Sequence, residues 1–174
     1  MEPIKVEQVD QEEFSSLKST HLPRGYLSPS QVQKYLTCPE DYRLTYIEGR
    51  PFKPNSRMLR GSSVHKMVEK SLLTLKLRGA PPSEEEVLDS SRSIVESVVD
   101  SREAEGEIDI EEILDASQKS FQVWYKVRMH SIMPIAVECE VLAMVGDVPV
   151  KGFVDYVDGS SGTPQIVDLK VGNK

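Results

Sequence analysis

An aspartate and a lysine stand two residues apart in IVDLK, as Asp168 and Lys170, and a second aspartate, Asp155, sits inside GFVDY. Alternate side chains of a strand share a face, so a strand over Gln165–Val171 projects Asp168 and Lys170 together. Carboxylates and an ammonium gathered on one sheet face have a clear chemical use. The carboxylates can hold a divalent cation, and the cation can activate a water beside a phosphate. The lysine can orient that water and offset developing negative charge. Oxygen donors suit magnesium or manganese. A solvated sheet face carrying a surface ion pair has the same spacing, and spacing alone does not separate the two.

Three strands are expected to position these groups. Residues 136–145 alternate and are rich in β-branched types. Gly146-Asp147 is a hairpin signal, 148–157 is the return strand, and GSSGTP links it to 165–171. With a two-residue turn, Glu138 falls opposite Asp155. Carboxylates facing each other across a ladder repel unless a proton or a cation lies between them. Cys139 alternates with Val137 and Val141 and is expected in the core.

Helices precede the strands. Ser28-Pro29 reads as an N-cap with proline at the first helical position, followed by an apolar stripe of Val32, Tyr35 and Leu36. Cys38-Pro39 interrupts it, and Cys38 reads as a helix-breaking core cysteine. PEDYRLTYIEG forms a second short helix stopped by Gly49. A longer helix over 58–77 carries Val64, Met67, Val68, Leu72 and Leu75 at helical spacing. It also carries His65, preceded by two serines. Ser83 and Glu86 form a capping box for a helix reaching about 101, and another helix covers 109–128. Residues 1–25 show no sustained periodicity and read as a loose leader.

The chain has 174 residues and a net charge of −7, which argues against a uniformly basic nucleic-acid binder. The distribution argues otherwise. Residues 18–79 hold twelve Lys and Arg against four Asp and Glu, leaving nine against twenty-four elsewhere. Such asymmetry describes either a basic surface on an acidic body or a solvated helical face. Apolar content of 39% and charged content of 28% are those of a globular domain. No run is long and apolar enough to span a membrane. Two cysteines form no disulfide framework and fit the cytoplasm. There is no G-x-S-x-G nucleophile motif of a small-molecule hydrolase.

Taken in order, four segments resemble the PD-(D/E)XK nucleases of the RecB-type exonuclease group. That group includes the nuclease domains of bacterial recombination helicases and CRISPR-associated exonucleases. LSPSQVQKYLTCPEDYRLTYIEG is similar to its opening two-helix segment, RGSSVHKMVEK to its glycine-to-histidine helix, VKGFVDYVDG to its G-x-x-D strand and IVDLKVGN to its D-x-K strand. Val171-Gly172 stands where the family usually has Thr-Gly.

The resemblance implies an α/β (α+β) fold over 26–174, with N-terminal helices around a small mixed sheet and a restriction-endonuclease-like core. It implies His65, Asp155, Asp168 and the Leu169 carbonyl as ligands of Mg2+ or Mn2+, Lys170 as the catalytic lysine, and Glu138 as a further acidic residue. It implies DNA ends, single- or double-stranded, as substrate, in repair, recombination or phage DNA processing. The family's Q-x-x-x-Y helix has no counterpart before Lys174, so the chain is expected to be the N-terminal part of a longer protein. Some members hold an iron–sulfur cluster on one early and three late cysteines. Cys38 has the early place, and a cluster would require cysteines beyond Lys174. The contrasting reading is a non-catalytic DNA-binding or protein-interaction module that keeps the nuclease fold.

Overall fold

The computed structural model describes residues 6–17, 19–101 and 106–172. The chain divides into two compact units. One combines Met1–Phe52 with Glu140–Phe153, and the other combines Lys53–Cys139 with Val154–Lys174.

The first unit begins with strand β1 (Val6–Gln8) and helix α1 (Gln11–Ser16), where no periodicity predicted an element. β1 pairs antiparallel with the end of β2 (Pro134–Val145), Val6 opposite Val145. Asp10 caps α1 by accepting from Glu13 N at 2.8 Å. Phe14 is thereby buried with Val9 and Leu142. A segment of this length is invisible to periodicity because its burial comes from a strand far along the chain.

Helix α2 (Pro29–Thr37) starts as expected, with Ser28 accepting from Gln31 N. Its apolar stripe is not buried: Val32, Tyr35 and Leu36 are exposed, while Gln31 is fully buried. Cys38 is exposed rather than in the core. Its Sγ accepts from Asp41 N at 3.5 Å and so caps α3 (Pro39–Tyr42). A wider turn continues over Arg43–Ile47 before Gly49, at φ 69°, ends the segment. The turn between β2 and β3 (Val148–Asp158) is Gly146-Asp147. Gly146 takes φ 60°, a conformation that a glycine-first hairpin turn requires.

The second unit is built on helix α4 (Ser56–Arg78), capped by Asn55 and closed by Gly79 at φ 72°. Its buried face, Leu59, Val64, Met67, Val68 and Leu72, packs in one core with Phe121, Trp124 and Tyr125 of α7 (Ile110–Arg128). The capping box at Ser83 and Glu86 is present in both directions. The single helix expected after it is two, α5 (Glu84–Asp89) and α6 (Ser91–Asp100). Ser90 explains the break: its hydroxyl donates to the Val87 carbonyl and receives Lys70 Nζ, a local alternative to helical pairing.

β4 (Gln165–Val167) pairs antiparallel with the end of β3, Tyr156 opposite Val167. It is shorter than the expected 165–171, so Asp168 and Lys170 lie just past the strand. The sheet order is β1-β2-β3-β4. The β1–β2 and β3–β4 pairs are antiparallel, and a parallel bridge joins Leu27 to Val150. The result is a mixed α+β fold with a restriction-endonuclease-like arrangement of helices and sheet. Among the described residues, no helix is long and apolar enough to cross a membrane.

Candidate metal centre

Three elements of the second unit converge on one cluster. His65 comes from the middle of α4, Glu138 from the first half of β2 and Asp155 from the second half of β3. One ligand atom of each lies within 4.8 Å of those of the other two. Each element has a local reason to aim its residue there. Val64, Met67 and Val68 anchor the inner face of α4, which leaves His65 at the edge of that face, half-buried. Tyr156 is buried in the core, and Asp155, its neighbour on the alternating strand, turns the other way. Glu138 is held by an unusual backbone, at φ 48°. Left-handed geometry within a strand interrupts the pleat. The uniform ladder expected from the turn omits this feature, yet the Glu138 carboxylate still comes within reach of Asp155.

Asp155 is the hub. Its Oδ1 lies 3.3 Å from His65 Nδ1, and its Oδ2 accepts the Leu169 N–H at 2.5 Å. The Leu169 peptide is thus tied to the cluster through its nitrogen. Lys170 Nζ lies 2.8 Å from Asp168 Oδ2, but the pair meets past the end of β4 rather than on the strand face expected for it. Both are largely exposed, and Asp168 is not one of the three converging donors.

The electrostatics follow from this placement. Partial withdrawal from water pushes the Glu138 carboxyl above the usual range, and the nearby Glu69 and Asp155 push it further. Three acidic groups around one space favour a proton or a cation among them. The hydrogen bond to Asp168 raises Lys170 above its ordinary value of 10.5. At neutral pH it is an ammonium.

The cluster opens into a groove of about 980 Å³ between α4 and α6. Gly61 and Ser62, one turn before His65, line it. A Cβ on Gly61 would meet nothing within 4 Å, so the missing side chain keeps open space there rather than relieving a clash. Periodicity could not flag Glu69, which lies one turn beyond His65 in the same groove and forms an ion pair with Lys66 at 2.5 Å.

The basic residues of the segment 18–79 divide. In the first unit, Arg43 is held by Glu40 and Glu48, and Arg50 lies 4.0 Å from Glu48. In the second, Arg57 is exposed in the first turn of α4, and Arg60 Nη2 donates to the Gly172 carbonyl at 3.3 Å. Lys18 and Asn173 lie outside the described residues. Cys139 is half-buried and Val141 is exposed, so the core alternation expected around Cys139 does not hold.

Could the converging donors hold a cation? Magnesium sits about 2.1 Å from its ligands and larger hard cations about 2.3–2.6 Å. Donors of one coordination sphere therefore lie within roughly 4–5 Å of each other, as these do. Two carboxylates and an imidazole are also a suitable donor set. The family model of the PD-(D/E)XK nuclease superfamily matches residues 26–174. No curated protein and no solved structure gave a match.

Proposed function

Because the chain belongs to the PD-(D/E)XK nuclease superfamily, we propose that it is a divalent-metal-dependent deoxyribonuclease acting on DNA ends. In this reading it works as RecB-type exonucleases of repair, recombination or phage DNA processing do. The observation that carries the proposal is the convergence of His65, Glu138 and Asp155 from three separate elements. A solvated sheet face does not require a helical imidazole beside two strand carboxylates.

In this reading His65, Asp155 and Glu138 hold Mg2+ or Mn2+, and Asp168 and the Leu169 carbonyl complete the ligand set. When bound, the cation supplies positive charge at the phosphate and acidity at a water. The protein's own groups do the rest. Asp155 organises the site through both oxygens, one facing His65 and the other fixing the Leu169 peptide. That hydrogen bond sets where the chain leaves β4, and hence where Lys170 stands. Lys170 is protonated and cannot accept the water's proton. Its ammonium orients the water and stabilises charge on the phosphate. Asp168 holds Lys170 until substrate and cation compete for it. Cys38 and Cys139 are not joined in a disulfide, which suits the reducing cytoplasm this reading assigns.

The test combines manganese calorimetry with cleavage of linear and closed-circular DNA. Wild type should bind manganese and degrade only the linear form, and Asp155→Ala should lose both activities. Metal binding unchanged in Asp155→Ala would remove the site assignment. Tight DNA binding with neither metal binding nor cleavage would favour the non-catalytic module.

A further inference from the structure

Lys170 stands beyond the ladder that would ordinarily fix a strand residue. β4 ends at Val167, and among the described residues 168–172 belong to no strand. A segment without ladder bonds is loose by default, yet a group that orients a water must be held to within about 0.5 Å. Side chains from other elements hold the segment instead. Leu169 and Val171 pack against the core of the second unit, so the alternate residues Asp168 and Lys170 turn outward. Before Lys170, the Leu169 N–H donates to Asp155 Oδ2. After it, the Gly172 carbonyl accepts from Arg60 Nη2 at 3.3 Å. Lys170 is thus bracketed. One hydrogen bond ties the chain ahead of it to β3, and the other ties the chain behind it to α4, the helix that carries His65. With the first alone, Lys170 could swing about the Leu169 peptide.

We propose that Arg60 is a positioning residue for Lys170: its guanidinium clamps the Gly172 carbonyl and so holds the ammonium beside the cluster of His65, Glu138 and Asp155. The inference rests on the nuclease reading for the use made of Lys170. Several points favour the clamp. The inner face of α4 is closed in the core, so Arg60 refers the segment to a rigid element. Its side chain lines a small cleft with Arg57 of α4 and Glu112 and Ile113 of α7, which limits where the guanidinium can go. A guanidinium is a planar fork of donors, so one N–H can serve Gly172 while the rest face the cleft. Lys170 also feels the cluster: Asp168 first, and then the charge of Asp155, raise its ammonium above the ordinary value. A direct phosphate contact by Arg60 would act on affinity, and saturating DNA would mask its loss. A misplaced Lys170 would stay misplaced at any DNA concentration.

The experiment reads the segment and the chemistry separately. Arg60→Met removes donor and charge but keeps a long side chain of good helix propensity, so the variant should fold. Arg60→Lys returns a cationic donor. Hydrogen exchange at the Leu169 amide, followed by NMR, should quicken by about tenfold in Arg60→Met and partly recover in Arg60→Lys. The Val68 and Leu72 amides, in the core of α4, should exchange as in wild type. The single-turnover rate at saturating DNA should fall by about 10- to 100-fold in Arg60→Met and partly recover in Arg60→Lys, with manganese affinity unchanged in both. Leu169 exchange at the wild-type rate in Arg60→Met overturns the clamp, and so does a rate that saturating DNA restores. Faster exchange at Val68 and Leu72 as well would make Arg60 a general stabiliser of the fold and overturn it too. Failure of the nuclease reading looks different: wild type would neither bind manganese nor cut DNA, while the difference in Leu169 exchange would remain.

Discussion

Lys170 is the residue whose chemistry and structural position separate most cleanly. Its ammonium ligates no cation, and its side chain is 82% exposed and, among the described residues, is paired with Asp168. Lys170→Ala should leave fold and manganese binding intact, because no core contact is lost. Cleavage should fall by about 10²–10³, the usual cost of losing one group that stabilises charge mainly in the transition state. Single-turnover rates at saturating DNA measure this directly, and a wild-type rate would contradict the proposed role. Asp158 shows a carboxylate serving structure instead. Burial alone would raise it. The Met133 and Ser160 amides and the Ser160 hydroxyl, at 3.0, 2.9 and 3.0 Å, outweigh that and hold it below the usual range. A depressed folded-state value contributes stability above the unfolded value of about 3.9 and loses it as pH falls through the folded value. Asp158→Asn should thus destabilise by about 1–3 kcal/mol at pH 7. Urea melts of the two proteins should draw together in strong acid, and a gap that persists there would mean the carboxylate charge is not the cause.

At the scale of elements, α4 carries both burial and chemistry. One face is closed in the core. The adjoining edge presents Gly61, Ser62, His65 and Glu69 to the groove. Glycine inside a helix costs about 0.5–1 kcal/mol relative to alanine. A Cβ at Gly61 would strike nothing within 4 Å, so close packing at the Cβ position is not what calls for glycine there. Gly61→Leu should therefore melt at or above the wild-type temperature while cleaving DNA poorly, because the new side chain occupies space beside His65. A variant that melts much lower would show a packing role instead. The break between α5 and α6 has a comparable logic, since Ser90 trades helix continuity for its bond to Lys70.

For the molecule as a whole, the net charge of −7 understates what a phosphate chain would meet locally. Arg43 is neutralised by Glu40 and Glu48, so composition overstates the free charge of the basic segment. Arg57 is the better candidate contact: it is exposed, and the α4 N-terminus behind it adds positive potential. Arg60 also holds the Gly172 carbonyl, and its loss would loosen the segment after Lys170. DNA affinity should fall steeply with salt, with each neutralised phosphate adding about 0.9 to the log–log slope for duplex and about 0.7 for single strands. Arg57→Ala should reduce that slope by nearly one such contact, and Arg57→Ala/Arg60→Ala by more. Filter-binding over a salt series reads both. A slope unchanged in the double variant would place the phosphate contacts elsewhere.

Much of this was legible in one dimension because it depends on local rules. Helix starts at Ser28, Ser83 and Asp109 follow from caps, the hairpin turn from Gly146-Asp147, and the core face of α4 from its apolar period. Asp168 and Lys170 do meet, but past the end of β4, so the strand alternation expected from their spacing is not the cause. Other features depended on partners distant in the chain. β1 exists because residues 6–8 find β2, and β4 stops at Val167 where its pairing with β3 ends. The outer face of α2 stays exposed although its sequence reads as a stripe. Most of all, the sequence names His65, Glu138 and Asp155 but cannot bring them together. That meeting depends on how α4 packs beside the sheet and on the left-handed backbone at Glu138, a conformation that residue type disfavours and only the surrounding structure imposes.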